Sequence, residues 1–139
     1  MQFRRRDLTA LLPVLAAGNS AAQPPVLPSK AYRFEDLPAR GSGPMRSRQI
    51  FNGKTHTSYT VDLHHTDLAA GAAPHPPHQH AHEEVLLIRQ GTLDVTIGDA
   101  AQVLGPGSVV YFASNQKHGW RNPGPAVAQY FVLALGDEG

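Results

Sequence analysis

The chain has 139 residues, enough for one domain, and hydrophobic residues make up 41% of it, enough to form a core. It contains no cysteine, which excludes disulfides, cysteine-ligated zinc, iron–sulfur clusters and thiol nucleophiles. The formal net charge is only +1, and 13 glycines with 12 prolines favour many turns between short strands.

The N-terminus has the pattern of an export signal. Three arginines at positions 4–6 precede an apolar run over residues 8–17, and small residues follow up to Ala22. This order of a basic region, a short apolar region and an A-x-A-like site predicts a signal peptide over residues 1–22, cut before Gln23. The apolar run is too short to span a bilayer.

The route of export is suggested by residues 5–9, RRDLT, which resemble the bacterial twin-arginine signal. Arg4 stands where Ser or Thr is usual, and Leu8 stands where Phe is common. An ordinary secretory signal is the alternative, and an N-terminus without a targeting role is a further one. Either signal predicts a periplasmic or secreted protein.

Removal of residues 1–22 changes the charge balance. Nine basic and ten acidic residues remain, so the net charge becomes −1. No basic stripe is left for nucleic acid or anionic lipid. We therefore predict a small-molecule ligand, no nucleic-acid partner and no stable membrane anchor.

Short strands and turns alternate along the rest of the chain. Residues 23–45 are predicted to form an extended N-terminal segment that contains a short strand at residues 31–34. Turn signals such as Asn52-Gly53, Gln90-Gly91 and Gly98-Asp99 separate the later elements. The strands predicted after the segment are, in chain order, 46–51, 57–65, 78–80, 85–89, 92–97, 101–104, 108–113, 117–122 and 127–135.

This spacing of strands, with no convincing helical period, predicts an all-β sandwich or barrel over residues 46–136. On the strand at residues 57–65, Val61 and His65 share one face with Tyr59. One of the two neighbouring histidines, His64 and His65, is expected to face the interior.

A cluster of metal-binding residue types follows. His78, His80 and Glu84 have the spacing H-x-H-x3-E, and His118 comes 34 residues after the glutamate. Two imidazoles and a carboxylate close together, with a third imidazole from a distant strand, suit a first-row divalent metal.

The spacing also constrains the path of the chain. His78 and His80 share a face of a strand, but a straight strand would carry Glu84 about 13 Å from His80, too far for one ion to bridge. The chain must therefore turn at residues 81–83. Glu84 is then expected on an adjacent antiparallel strand, and His118 on a later one.

Two segments resemble the two sequence motifs of the cupin superfamily. Together they cover residues 71–122, and the resemblance implies a small single-domain cupin with a jelly-roll barrel, the double-stranded β-helix. The segments are Gly71…His78-x-His80-x3-Glu84-x6-Gly91 and Gly107-x5-Ala113-x-Asn115-x2-His118-x3-Asn122.

The match has three departures. Gly71 lies one residue too far upstream, Ala113 stands where Pro is usual, and Asn115 stands where Gly is usual. Asparagine is the non-glycine residue that best tolerates a left-handed turn conformation, so the change at Asn115 is mild. None of the departures removes a ligand.

The resemblance implies one metal bound by His78, His80, Glu84 and His118, with open positions for water or substrate. Cupins bind iron, manganese, nickel, zinc, copper or cobalt. We favour iron or manganese, because the twin-arginine route moves folded proteins and a weakly competing metal is then loaded before export. Glu84 is also a candidate general base.

Other interpretations of the histidines stay open. In one interpretation, the four ligand positions no longer bind metal and only hydrogen-bond one another. In another, residues 75–82 form a loose tract that binds metal exchangeably. His75 and His82 are interpreted as residues at the rim of the pocket, and metal binding is the alternative for each. At the rim, His82 is also a candidate proton shuttle. His56 has no readable role.

The aromatic and apolar residues near the motifs predict the pocket. Trp120 and Tyr59 are interpreted as core aromatics, with pocket lining as the alternative. Interior positions are expected to form an apolar pocket that suits a small, partly hydrophobic ligand. These positions are Leu86, Ile88, Val110 and Phe112.

Three imidazoles and one carboxylate on a divalent ion leave a +1 site, which can polarise an oxygen ligand, acidify a water or bind dioxygen. Cupins include dioxygenases, isomerases, lyases and non-catalytic binders, and the fold does not choose among them. We predict an exported metal-binding cupin with dioxygenase-type chemistry on a small, aromatic substrate. A non-catalytic binding protein and a metal-assisted isomerase or lyase are the alternatives.

The resemblance also implies a homodimer, with residues 31–51 as candidate contacts.

Overall fold

The computed structural model describes residues 22–137. A three-residue 3-10 helix at Phe34–Asp36 is the helical element of this part of the chain. No helix within it has the length and apolar character needed to cross a membrane. The strands are β1 (Met45–Lys54), β2 (Thr60–Leu68), β3 (Glu83–Gln90), β4 (Leu93–Ile97), β5 (Ala100–Leu104), β6 (Val109–Phe112), β7 (His118–Arg121) and β8 (Ala128–Leu135).

The strands form two antiparallel sheets. One has five strands in the order β1-β2-β8-β3-β6, and the other has three in the order β5-β4-β7. Buried side chains from both sheets pack into one core, among them Leu86, Leu93, Phe112, Trp120 and Tyr130. The predicted all-β jelly-roll barrel is confirmed.

The predicted strands from β3 to β8 agree with the structure to within two residues. Gly91 and Gly98 lie in the turns on either side of β4, with φ of +75° and +57°. A Cβ at position 91 would lie 2.9 Å from the Cα of Ala128, so only glycine fits this turn without displacement.

Two predictions near the start of the barrel are wrong. Residues 31–34 do not form a strand, since the 3-10 helix begins at Phe34. Asn52 and Gly53 do not form a turn but pair with Asp62 and Val61 inside the β1–β2 ladder. Gly53 is needed there for close approach, because a Cβ at this position would meet the carbonyl oxygen of Pro25 at 2.4 Å.

The predicted strand at residues 78–80 is also wrong, as is its pairing with the strand of Glu84. His78 forms an isolated bridge with His118, while β3 pairs with β6 and β8. The three prolines at positions 74, 76 and 77 lack N–H groups, so the chain before His78 cannot continue a ladder.

The N-terminal segment packs on the outer face of the five-stranded sheet. Leu27 donates its N–H to the Lys54 carbonyl at 2.8 Å, and the Phe34 ring lies edge-on to His65 at 4.8 Å. His65 is fully buried there, on the face opposite to His64. Tyr59 precedes β2 and is 68% exposed, so it takes neither of its predicted roles. The division into residues 23–45 and 46–136 stays a prediction.

Candidate metal centre

The predicted ligands come from both sheets. Glu84 is the second residue of β3 in the five-stranded sheet, and His118 is the first residue of β7 in the three-stranded one. His78 exchanges backbone hydrogen bonds of 2.9 and 2.8 Å with His118. The His80 carbonyl accepts a 2.7 Å hydrogen bond from the N–H of Asn115, whose φ is +60°.

Three imidazoles meet at one point. The ring centroids of His78, His80 and His118 lie 4.9–5.1 Å apart, with interplanar angles of 72–78°. Each ring offers a nitrogen within 4.8 Å of the others, close enough for one ion to bind all three. Glu84 lies beside two of these rings, with Oε2 3.1 Å from His118 Nε2 and Oε1 3.5 Å from His80 Nε2.

Backbone carbonyls fix which ring nitrogens are free. His118 Nδ1 lies 2.8 Å from the Gln116 carbonyl, and His80 Nδ1 lies 2.8 Å from the His82 carbonyl. Each Nδ1–H donates to its carbonyl, which leaves the Nε2 lone pair for an ion. This arrangement orients metal-binding histidines in proteins generally.

The cluster contains polar atoms that the protein does not satisfy. The Nε2 atoms of His78 and His80 are buried and have no hydrogen-bond partner among the described residues. Such atoms are costly unless a ligand pairs with them. Burial, assisted by His75, His118 and His80, lowers the pKa of His78 and favours the neutral form that binds metal. The residues therefore fit a metal ion.

His82 lies next to this cluster, and its rim role stays a prediction. Its side chain is 11% exposed, and its Nε2 lies 3.5 Å from Glu84 Oε1. Its ring stacks on His80 at 3.6 Å and 8°. His80, His82 and Glu84 form a second group with metal-binding spacing. The two groups share His80, whose one free nitrogen can bind only one ion at a time, and His82 is a further candidate donor.

The alternation of histidines in the sequence already indicated that His82 lies near the cluster. His82 follows His78 and His80 at the same two-residue spacing, but its position outside the family motif favoured a rim role. His75 stacks on His78 at 3.9 Å and contacts Trp120 edge-on, but lies outside both groups of donors. The assignment of the four ligands, and of Glu84 as a general base, stays a prediction.

An aromatic stack supports His118 from the core side. Phe112 lies 4.2 Å from the His118 ring, and Trp120 lies 5.7 Å from Phe112, both nearly parallel. Trp120 is buried in the core as predicted, and it also lines two cavities. Burial raises the pKa of Tyr130, which packs against Trp120, to about 12, so its hydroxyl stays protonated at neutral pH.

A cavity of about 800 Å³ opens beside the cluster. Most of its lining residues have polar side chains, and none of the four predicted apolar positions lines it, which corrects the prediction of the pocket. The predicted apolar positions, such as Leu86 and Phe112, fill the core instead. His64 does face this cavity, as expected for one of the two neighbouring histidines. The lining residues are Asn52, Thr60, Asp62, His64, His78, Gln79, His80, Ala81, His82, Glu84, Ala134, Gly136 and Asp137.

Comparison with known proteins agrees with this architecture. The family model described as "Cupin domain" matches residues 64–134. Among curated proteins, none matches the chain.

Three solved structures illustrate the similarity. An RmlC-like cupin from Shewanella frigidimarina has a TM-score of 0.65 at 18% identity, over 78% of this chain and 93% of that one. The polyketide cyclase RemF from Streptomyces resistomycificus has a TM-score of 0.66 at 16% identity, over 79% of this chain and 81% of that one. KdgF from Halomonas sp. has a TM-score of 0.66 at 15% identity, over 77% of this chain and 94% of that one. At these identities the likeness shows the fold alone.

Proposed function

Because the chain belongs to the cupin family, we propose that it binds a small, oxygen-bearing molecule at a divalent transition metal held by His78, His80, Glu84 and His118. One observation carries this proposal: the buried Nε2 atoms of His78 and His80 have no hydrogen-bond partner within residues 22–137 and belong to a group of three imidazoles, two of which lie within 3.5 Å of Glu84. Iron or manganese is favoured, with nickel, zinc, copper and cobalt as alternatives.

The chain's own residues prepare the site for such an ion. Carbonyl groups hold His80 and His118 in the tautomer that presents Nε2, and Glu84 supplies the negative charge. When bound, the ion would polarise an oxygen of the ligand and lower the pKa of a bound water. The adjacent cavity gives a small molecule room beside these donors.

We propose dioxygenase-type oxidation as one reaction of this site. Nitrogen and carboxylate donors suit a redox-active ion such as iron, and dioxygen would be the oxidant. A metal-assisted isomerase or lyase is the second candidate. The polar side chains that line the cavity favour this candidate, because they can donate hydrogen bonds to the hydroxyl groups of a substrate or accept them.

Metal loading followed by oxygen measurements tests these functions. The chain is loaded anaerobically with iron(II), manganese(II) or zinc(II), and oxygen uptake is then followed with catechol. We expect about one ion per chain, and uptake only with iron or manganese if the site is a dioxygenase. Absence of bound metal would contradict the proposal, and a thermal shift with catechol but no product would indicate a binding protein.

Export is a further proposal, supported by sequence alone, since residues 1–21 lie outside the described residues. The basic and apolar pattern before Ala22 supports a cleaved leader and a periplasmic or secreted location. N-terminal sequencing of the exported protein would give Gln23 as the first residue, and an intact Met1 would contradict the proposal.

We also propose that the protein is a homodimer, on the basis of the family resemblance. Sedimentation of the purified chain tests this. A mass near twice the 15.0 kDa of the chain supports a dimer, and a mass near that of one chain contradicts it.

A further inference from the structure

A second pair of polar side chains faces the cavity of the metal cluster. Asp62 and His64 are alternate residues of β2, so both point to the same side of the sheet. His64 Nδ1 lies 3.1 Å from Asp62 Oδ1. The Nε2 atom of His64 makes no hydrogen bond to any residue of the described chain, and the ring lines the cavity.

Asp62 is held in place by two side chains of β1. Its Oδ2 accepts hydrogen bonds from Gln49 Nε2 at 2.9 Å and from Asn52 Nδ2 at 2.7 Å. Burial opposes ionisation of Asp62, but the hydrogen bonds from His64, Gln49 and Asn52 outweigh it and lower its pKa. In the neutral form of His64, the fixed carboxylate therefore holds the proton on Nδ1 and leaves the Nε2 lone pair free.

The register of the sheet relates this pair to the metal cluster. Asp62 lies opposite Ala134 of β8, and Ala134 lies opposite Glu84 of β3. Two strand spacings separate the backbones of Asp62 and Glu84 by roughly 10 Å. Ala134, whose side chain is a methyl group, lies between them in the sheet, and all three residues line the same cavity.

We propose that Asp62 and His64 form a proton-transfer pair that acts on a small hydroxy ketone or hydroxy aldehyde held at the metal. This inference rests on the proposed metal-dependent function and narrows its substrate class. The carbonyl oxygen would face the ion, and a C–H group next to the carbonyl would face His64. His64 is the catalytic base, and Asp62 is a positioning residue.

The step conserves atoms and electrons. His64 Nε2 takes a proton from the carbon beside the carbonyl, the C–H electron pair forms a C=C bond, and the carbonyl π pair moves to oxygen. The imidazolium that results is stabilised by the Asp62 carboxylate. The imidazolium exchanges its proton with solvent, and return of a proton from Nε2 to the same face of the carbon restores the carbonyl, so the net result is exchange of hydrogen with retention of configuration.

Hydrogen exchange on a defined probe tests the pair. Zinc-loaded protein is incubated with hydroxyacetone in D₂O, and loss of the CH₂ proton signal is followed by NMR. We expect exchange by the wild type above that of the metal-free protein. His64→Gln should slow it by about 100-fold, within the usual range for a general base. Asp62→Asn should slow it less, and His56→Gln, in the exposed turn before β2, should not change it.

A second readout needs no turnover. The ¹⁵N shifts of the His64 ring in the metal-free protein should show the Nδ1-protonated tautomer, and Asp62→Asn should shift this population. Zinc content is measured for every variant. Lack of zinc in the wild type would contradict the proposed metal site itself.

With zinc bound, three results would overturn the proton-transfer pair. They are no exchange by the wild type, full exchange by His64→Gln, and an Nε2-protonated ring in the wild type. Loss of zinc from His64→Gln would also overturn it, because His64 would then be a metal ligand.

Discussion

Asn115 shows how one backbone conformation supports the candidate site. Its φ of +60° lies in the left-handed region, as expected for an asparagine at a position where the cupin motif usually has glycine. From this conformation its N–H reaches the carbonyl of His80 at 2.7 Å. The position of one candidate ligand therefore depends on a residue that tolerates positive φ.

We predict that Asn115→Val destabilises the fold by about 1–2 kcal/mol, because a β-branched side chain opposes the left-handed conformation. Its affinity for zinc should fall as well. Asn115→Gly, the matched control, should keep both properties. Urea unfolding and zinc titration measure them, and equal behaviour of the two variants would contradict the role of backbone conformation.

His65 is a buried histidine that serves no candidate function. Both of its ring nitrogens lack partners among the described residues, and its ring lies between Phe34 and Phe131. Burial lowers its pKa most strongly. The nearby Asp67 opposes this shift, while Arg48 and Arg89 add to it.

This lowered pKa predicts acid sensitivity. Below the unfolded value of about 6.5, the unfolded chain binds a proton at His65 that the folded chain resists. The free energy of unfolding should therefore fall as pH decreases from about 6.5 towards the folded pKa, and be fully retained above 6.5. His78 adds a shift of the same sign. The free energy of unfolding is measured for the wild type and for His65→Phe between pH 7.5 and 5, and the difference between them gives the contribution of His65. The same dependence on pH in both proteins would contradict this prediction.

At the scale of elements, β3 shows a two-residue alternation. Glu84, Leu86 and Ile88 point inward and are buried, while Leu87 between them is 39% exposed. The inward face carries a candidate metal ligand at one end and core residues along the rest. The strand thereby places Glu84 on the same framework as the core.

Leu86→Ala should lower the free energy of unfolding by about 2–5 kcal/mol, because it leaves a cavity in a packed core. Leu87→Ala on the same strand is the matched control, and its effect should be within about 1 kcal/mol. Thermal or urea unfolding compares them. Similar losses for the two variants would show that the inward face has been assigned wrongly.

The strands were predicted best from β3 to β8, where apolar and polar residues alternate and glycines mark the turns between strands. The prediction failed at Asn52-Gly53, because cross-strand pairing and the approach of Pro25 override a local turn signal. It failed at residues 78–80 because the prolines prevent a ladder that parity alone allowed. Pocket polarity was also missed, since Asp62 and His64 face the cavity from the strand face that carries fewer apolar residues.

At the scale of the whole molecule, the candidate centre joins the two sheets. Glu84 comes from the five-stranded sheet, whereas His118 comes from the three-stranded sheet and His78 is hydrogen-bonded to it. An ion bound by these residues would link the sheets at one end of the barrel. Metal binding should therefore stabilise the entire fold rather than a single loop.

We predict that removing metal with a chelator lowers the unfolding temperature of the whole domain. At a free zinc concentration of 100 times Kd, the gain in stability should be about 2.7 kcal/mol. Calorimetry of chelated and zinc-loaded protein measures this in one transition. A change confined to a separate minor transition would contradict a centre that spans both sheets.

The most direct test of the metal centre is elemental analysis of the purified full-length chain beside His118→Ala and His56→Ala. His118 is buried at the meeting point of the imidazoles, whereas His56 lies in an exposed turn. We expect about one transition-metal ion per chain in the wild type and in His56→Ala, and nearly none in His118→Ala. Equal metal in all three proteins, or none in any, would contradict the centre.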